Sequence, residues 1–147
     1  MSSSIKYLKH DQIDKTRWDW NIKNSVNGNL YGWSWYLDAV SPNWVALILG
    51  DYQSIMPLTW RRKYGLFYLY RPLLSQQQGV YSIDLPSASL VANFMDRIPK
   101  KFRILEFSTN KFNSLEESNM KFSSHQSCEL DLIGEYDSIY TNFSKNT

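Results

Sequence analysis

The chain has 147 residues, of which 43% are apolar and 20% are charged, so its composition is typical of one globular domain and not of a disordered chain. Its formal net charge of +2 is too small to indicate by itself a nucleic acid or an anionic membrane as partner. The one cysteine, Cys128, excludes an intramolecular disulfide, and no apolar run approaches the ~18 residues of a membrane-spanning helix. Since the first ten residues also lack the apolar segment of a signal peptide, we expect a cytoplasmic location.

Two helices are predicted after a first strand. Residues 4–10 alternate between apolar and polar side chains, which is typical of a strand. Asp11 is suited to cap a helix that runs to about Val26. A second, shorter helix begins near Ser34 and ends before the "SPN" sequence, since proline cannot continue it. The apolar residues at helical spacing are Trp18, Ile22 and Val26 in the first helix and Trp33, Leu37 and Val40 in the second.

Three strands are predicted next. Residues 44–50 form a continuous apolar run, which is typical of a strand that is buried on both faces. In the strand over 54–60, Pro57 cannot donate a ladder hydrogen bond, so it predicts a sheet edge or a bulge at that position. The hairpin loop 61–65 then connects to a returning strand over 66–70.

The second half of the chain predicts a helix, two strands and a last helix. Ser87 is suited to cap a helix that ends near Arg97, and strands are predicted over 101–109 and 127–133. Between these strands, residues 110–119 predict a turn or a short helix. The order of elements indicates an α/β (α+β) fold with a mixed, mostly antiparallel sheet that carries helices on both faces.

The last residues form an apolar stripe without a stop signal. One hypothesis is that residues 1–133 form the N-terminal domain of a longer protein, and that a helix over 134–147 leads to its second domain. The other interpretation is a short terminal helix that packs on its own domain. An apolar helix face of this kind would also allow a homodimer. The four side chains that recur at i, i+3, i+4 and i+7 are Tyr136, Ile139, Tyr140 and Phe143.

The element order and several phrases of the sequence resemble the GNAT fold of acyl-CoA N-acyltransferases. Among these, the chain is similar to the FemAB-like proteins, which contain two GNAT-like halves in tandem. The resemblance covers less than half of the chain, in the order expected of the first half, and it implies a C-terminal GNAT-like domain as partner. The phrases are "WSWYLDAVSPNWVALI" (33–48), "IMPLTWRRKYGLFYLYRPLLSQQQGVYS" (55–82) and "YDSIYTNFSKNT" (136–147).

The resemblance implies a cofactor loop in the sequence "SQQQGVYS" at 75–82. In active GNAT enzymes a loop of the form Q/R-x-x-G-x-G/A holds the CoA pyrophosphate through backbone N–H groups and a helix N-terminus. Here the first glutamine and the first glycine match, but a tyrosine replaces the final small residue and restricts φ and the approach of an anion. The residues at the six positions of this motif are Gln76, Gln77, Gln78, Gly79, Val80 and Tyr81.

Two interpretations of this loop stay open. In the first, it is a packed structural turn that does not bind acyl-CoA in the usual way. The residues "SIDLP" that separate the loop from the next helix favour this interpretation, since a pyrophosphate would miss the positive end of that helix. In the second interpretation the loop is a cradle rebuilt for another anion, with Arg71 nearby.

Basic side chains and one carboxylate are further candidates. Four cations around the hairpin and the loop are suited to bind the phosphates of a nucleotide-linked substrate or an RNA, or they form a solvated hairpin tip. These are Arg61, Arg62, Lys63 and Arg71. The same alternatives apply to Lys100, Lys101 and Arg103. Glu106 is a weak candidate for a general base, because acyltransferases sometimes place one in this strand, and otherwise it is a charged residue on the wet face of the strand.

Two histidines, the cysteine and a group of aromatic residues are the remaining candidates for a metal site or a substrate groove. His10, His125 and Cys128 do not have zinc-ligand spacing, so no metal is predicted. The aromatic residues between positions 33 and 44 either line a substrate groove or form the core under the first helices.

The sequence thus supports three functional hypotheses. By resemblance, the chain is a non-catalytic GNAT-like domain that helps to form the acceptor cleft of a FemAB-like enzyme, which transfers an aminoacyl or acyl group to an amine. Acetyl-CoA or aminoacyl-tRNA is a co-substrate only if this family activity holds, and no other cofactor is implied. The alternatives are a binding module without catalysis and a stand-alone acetyltransferase for a small amine. A membrane partner is not expected, nor is a nucleic acid for this half.

Overall fold

The computed structural model describes residues 4–118, 120–126 and 133–141, and within them the architecture is mixed α+β, in agreement with the predicted class. The strands are β1 (Ile5–Leu8), β2 (Val45–Leu49), β3 (Ser54–Leu58), β4 (Trp60–Lys63), β5 (Leu66–Leu69), β6 (Tyr81–Ser82) and β7 (Phe102–Leu105). The helices are α1 (Lys15–Asn24), α2 (Ser34–Val40), α3 (Ala88–Asp96) and α4 (Tyr136–Thr141), with short 3-10 turns at His10–Gln12 and Leu30–Gly32. None of the described helices has the length and apolar character that crossing a membrane requires.

The strands form two sheets, whereas the sequence predicts one. The first sheet has the order β1-β2-β3-β6 and the second has the order β4-β5-β7. The predicted mostly antiparallel character is confirmed, since β5 and β7 form the one parallel pair among these strands. The chain passes between the sheets at Thr59, whose hydroxyl donates to the Tyr70 carbonyl oxygen (2.7 Å) and whose own carbonyl accepts from the Tyr70 N–H (3.1 Å).

The division into two sheets follows from an interruption in the returning strand. After its pairing with β4 in β5, the returning chain leaves the ladder, and it pairs with β3 only at β6, through Ser54 and Ile55. Pro57 lies beyond these paired residues, so its missing N–H faces no described strand on that side. The predicted edge strand or bulge is wrong, because β3 lies between β2 and β6 and its register with β2 is continuous; Pro57 is tolerated since the pairing with β6 ends at Ile55.

The first helix begins later than the sequence predicts. Asp11 lies in a 3-10 turn, and Ile13 is extended, so the helix cannot start before Asp14. The carboxylate of Asp14 accepts a hydrogen bond from the Arg17 N–H (3.1 Å) and is the true N-cap. The helix ends at Asn24 instead of Val26.

Helices cover both faces of the first sheet, and β2 is therefore buried on both sides. One core cluster joins this strand to α3, and the other joins it to α1 and α2. The first cluster includes Val45, Leu47, Val91, Phe94 and Met95. The second includes Trp18, Ile22, Leu37, Ala46 and Ile48.

Two boundaries in the second sheet differ from the prediction. Residues 61–63 belong to β4, and the hairpin turn is only Tyr64 and Gly65, which both have positive φ (49° and 80°) as a two-residue turn requires. The strand predicted over 101–109 ends at Leu105, because the chain turns away to meet the 75–82 loop.

The remaining predictions have mixed outcomes. The Ser87 cap is confirmed, since its hydroxyl accepts from the Leu90 N–H (3.1 Å). Residues 110–118 form turns, and the predicted strand 127–133 falls almost wholly outside the described residues, as does Phe143. In α4, Tyr136 and Tyr140 stack on each other and are mostly exposed.

Candidate functional site

The loop at 75–82 is packed into the protein. Gly79 has a φ of +100°, which strongly favours glycine, and a Cβ at this position would lie 2.2 Å from Asn113 Oδ1. Gln78, Gly79 and Val80 are all buried. The close approach at Gly79 is therefore made by an asparagine side chain of the same chain.

Three backbone donors of this loop bind protein oxygens. The Val80 N–H donates to Asn113 Oδ1 (2.6 Å), and the Ser82 N–H donates to Asn27 Oδ1 (3.1 Å). The Gln78 N–H donates to the carbonyl oxygen of Ser108 (2.8 Å). Because each donor already has a partner, an anion would have to displace these protein groups to reach them.

The Tyr81 side chain lies in the core and does not cover the loop. Its ring is fully buried in the cluster with Trp18 and Ile22, and it is in close contact with Gly32. Its hydroxyl donates to Asn29 Oδ1 (3.0 Å), and burial raises the pKa of the phenol well above its ordinary value. Two asparagine side chains and the Ser108 carbonyl oxygen, and not this ring, occupy three backbone donors of the loop.

An open pocket lies beside the loop, where the chain runs outward after β5. It has a volume of about 470 Å³ and is lined by Arg61, Tyr70 and residues 71–76. We call it the arginine pocket. A second pocket of about 280 Å³, near the end of α2, shares Arg61 and Tyr70 with it and includes Arg62.

The predicted cations are divided between these pockets. Arg61 and Arg71 line the arginine pocket, Arg62 lines the second pocket, and Lys63 lines neither of them. The guanidinium of Arg61 lies 4.2 Å from the centroid of the Tyr70 ring. Within residues 4–118, 120–126 and 133–141, no carboxylate forms an ion pair with any of the four.

Two buried polar atoms near the pocket have no hydrogen-bond partner in the described part of the chain. One is Oγ of Ser75, which lines the arginine pocket, and the other is Nε2 of Gln78. The Gln78 side chain is held at its other end, where Oε1 accepts a long hydrogen bond from Thr59 Oγ1 (3.4 Å). A buried hydroxyl without a partner costs stability, so Ser75 is a candidate binding residue.

The other candidates do not join this site. Glu106 follows β7 instead of lying in it, its side chain is exposed, and its N–H donates to the Leu69 carbonyl oxygen (3.1 Å). Lys101 donates to the Tyr7 hydroxyl (2.9 Å) and lies over aromatic rings of the core. Lys100 and Arg103 are exposed and line neither pocket. The described residues contain no group of His, Cys, Asp and Glu that is suited to hold a metal ion.

The aromatic stretch divides between core and surface. Trp44 is fully buried and Trp33 is half-buried, whereas Trp35 is 57% exposed. Tyr36 contributes to the site, because its hydroxyl donates to the Leu74 carbonyl oxygen at the rim of the arginine pocket (2.7 Å).

Sequence reasoning missed the residues that determine the state of this site. Asn27 and Asn113 lie far from the loop in sequence, and no local pattern indicates that their amides fill it. Ser75 stands inside the phrase "LLSQQQG", and a serine directly before a glycine-containing loop is a weak signal that could have drawn attention to it.

The fold and the pockets together define an α+β domain in which protein oxygens bind three backbone donors of the 75–82 loop. Its basic pocket has no carboxylate partner among the described residues. No family model matches the chain, and neither a curated protein nor a solved structure matches it.

Proposed function

We propose that this chain is the N-terminal, non-catalytic GNAT-like domain of a FemAB-like N-acyltransferase, and that it helps to form the cleft for the amine acceptor. The order of strands and helices and the mostly antiparallel pairing support the GNAT-like part of the proposal. The observation that carries the non-catalytic part is that three backbone donors of the 75–82 loop, those of Gln78, Val80 and Ser82, are bound by protein oxygens.

A pyrophosphate cradle requires backbone N–H groups that point at an open space. In this loop the donors of Gln78, Val80 and Ser82 point at protein oxygens. Asn113 also donates through Nδ2 to the Val80 carbonyl oxygen (3.0 Å), so this one amide pairs with both the N–H and the carbonyl group of Val80. Binding of acyl-CoA here would break several buried hydrogen bonds at once.

The arginine pocket supports the acceptor-binding part of the proposal. Its arginines lie on a concave surface beside the loop, and the described residues provide them with no carboxylate. In such a tandem enzyme the acyl donor, whether acyl-CoA or aminoacyl-tRNA, would bind the C-terminal domain. The first domain would then orient a negatively charged part of the acceptor.

Titration with acetyl-CoA tests this proposal. A ligand at 100 times its Kd raises the free energy of unfolding by about 2.7 kcal/mol, so binding is visible as a thermal shift. We expect acetyl-CoA to cause no thermal shift in the Arg61→Gln, Arg71→Gln double variant, whether or not it causes one in the wild type. A shift that survives there, with NMR chemical-shift changes at residues 76–81, would overturn the proposal.

The alternative of a stand-alone acetyltransferase is tested in the same samples. That function predicts acetyl transfer to small amines and loss of the transfer in the Glu106→Gln variant, since Glu106 would be the general base. We expect no transfer by the wild-type chain. Absence of both acetyl-CoA and acceptor binding would favour a binding module of another kind.

A further inference from the structure

We propose that the arginine pocket binds the phosphoryl group of a small organic phosphate, whose apolar substituent lies against Leu73 and Leu74. The inference rests on the proposed function only where it identifies this phosphate ester as the acceptor. Binding of the phosphate itself follows from the side chains that line the pocket.

The charge in the pocket fits a phosphoryl group. Each guanidinium of Arg61 and Arg71 carries five N–H donors and no acceptor, and neither pairs with a carboxylate in the described ranges. A phosphate ester offers three terminal oxygens and up to two negative charges, so it can accept from both guanidinium groups at once. A carboxylate has fewer oxygens and less charge for the same donors.

Ser75 is a further donor among the residues that line the pocket. The residue is 3% exposed, lines the pocket, and its Oγ has no partner among the described residues. A phosphate oxygen in the pocket would accept its O–H and satisfy a buried polar group that is otherwise left without a hydrogen bond.

The Arg61 side chain is held in place before any ligand arrives. Its guanidinium lies 4.2 Å from the centroid of the Tyr70 ring. That ring is fixed in turn, since the Tyr70 hydroxyl donates to the Val40 carbonyl oxygen (3.1 Å). A cation ordered in this way loses less conformational freedom on binding than an unsupported side chain.

Leu73 and Leu74 form an exposed apolar rim beside these donors. They are 88% and 78% exposed, respectively. Leu74 has a φ of +75°, which is unfavourable for a branched side chain, and the Tyr36 hydroxyl holds its carbonyl oxygen. Strain of this kind is concentrated at functional sites, and here it presents an aliphatic side chain at the pocket. The volume of about 470 Å³ lies within the range of small-molecule sites.

Amide NMR titrations with n-butyl phosphate, inorganic phosphate and butyrate test the inference. We expect saturable shifts at residues 71–76 with both phosphates, tighter binding of butyl phosphate, and much weaker binding of butyrate. Arg61→Gln and Arg71→Gln should each weaken butyl phosphate binding by about ten-fold. Arg103→Gln is the matched control, because this exposed arginine of β7 lines neither pocket, and it should leave Kd unchanged.

The Leu74→Gly variant separates the apolar contact from the fold. Glycine adopts positive φ without strain, so the variant should be at least as stable as the wild type. We expect it to weaken binding of butyl phosphate by about three-fold to ten-fold and to leave inorganic phosphate unaffected. Equal losses for both ligands would contradict the apolar contact.

Several results would overturn the inference. These are the absence of saturable binding, equal binding of butyrate and butyl phosphate, and shifts that map away from residues 71–76. Binding to vesicles that contain phosphatidylglycerol, without binding of butyl phosphate, would also overturn it in favour of a membrane surface. Phosphate binding that occurs together with acetyl-CoA binding at the 75–82 loop would leave this inference intact and reject the proposed function.

Discussion

The polar groups around α1 and the polar groups of the arginine pocket differ in how they are satisfied. Around α1, each of three basic side chains has a carboxylate partner: His10 and Lys15 pair with Asp38, and Arg17 pairs with Asp14 and Asp51. In the pocket, Arg61 lies on an aromatic ring and Ser75 Oγ has no partner in the described part of the chain. A saturated cluster stabilises the fold, whereas an unsaturated one is available to a ligand.

Asp38 is the centre of the saturated cluster. It accepts hydrogen bonds from Lys15 Nζ (2.6 Å), His10 Nε2 (2.8 Å) and the indole N–H of buried Trp44 (3.0 Å). Partial burial by itself would raise the pKa of this carboxyl, but the three hydrogen bonds and the Lys15 charge outweigh it and bring the pKa to about 2. The cluster thus ties α2 to the N-terminal segment and to β2.

The largest effect is expected at the 75–82 loop, where Asn113→Ala removes both hydrogen bonds to Val80. The buried Val80 N–H would lose its partner, and we expect the free energy of unfolding to fall by about 2–3 kcal/mol in chemical denaturation. Asn93→Ala is the control, because Asn93 is an exposed residue of α3, and it should change stability by less than about 0.5 kcal/mol. If Asn113→Ala lowers the free energy of unfolding by less than about 0.5 kcal/mol, the Asn113 amide does not hold Val80 as described.

A comparable but smaller loss is expected for Asp38→Ala. The variant leaves the buried Trp44 N–H without an acceptor and should lower the free energy of unfolding by about 2 kcal/mol. Asp38→Asn keeps an oxygen for this donor and loses only the charge, so it should cost about 1 kcal/mol or less. Equal losses in the two variants would mean that the Trp44 hydrogen bond contributes nothing.

The sequence predicts those features best whose interacting residues lie close together along the chain. The Ser87 cap and the apolar run of β2 follow from local patterns, and they are confirmed. The start of α1 is wrong by several residues, because two aspartates compete as caps and only the extended Ile13 decides between them. Each of these features depends on residues that lie within a few positions of one another.

The candidate site could be predicted only in part. The sequence placed Arg61 and Arg71 near the loop, and the pocket brings them together. It could not predict that Asn27 and Asn113 fill the loop, since these contacts span 55 and 33 residues and depend on tertiary packing. The unpartnered state of Ser75 also depends on burial, which a local pattern does not specify for a serine.

The pH dependence of stability sharpens the comparison further. Since the folded pKa of Asp38 lies below the ordinary value of 3.8, its contribution is present above pH 4 and is lost as the pH falls toward 2. The side chain is 34% exposed, and solvent screening reduces the contribution to about 1 kcal/mol. We expect wild type to lose about that much more than Asp38→Asn between pH 4 and pH 2, measured by urea denaturation. Parallel losses in the two proteins would place the acid sensitivity elsewhere.

The smallest effect has the opposite sign and concerns the pocket. Ser75→Ala removes a buried hydroxyl that has no described partner, so the free energy of unfolding should rise by up to about 1 kcal/mol in phosphate-free buffer. Added butyl phosphate should then stabilise the wild type more than the variant. The difference between their free energies of unfolding should therefore shrink or change sign. Arg103→Gln provides the control, because this exposed side chain lines neither pocket and should change stability by less than about 0.5 kcal/mol. A Ser75→Ala variant that is less stable than the wild type would mean that the hydroxyl is satisfied within the protein. In that case Ser75 would not distinguish the arginine pocket from the hydrogen-bonded cluster around α1, and the comparison between these two regions would lose its main support.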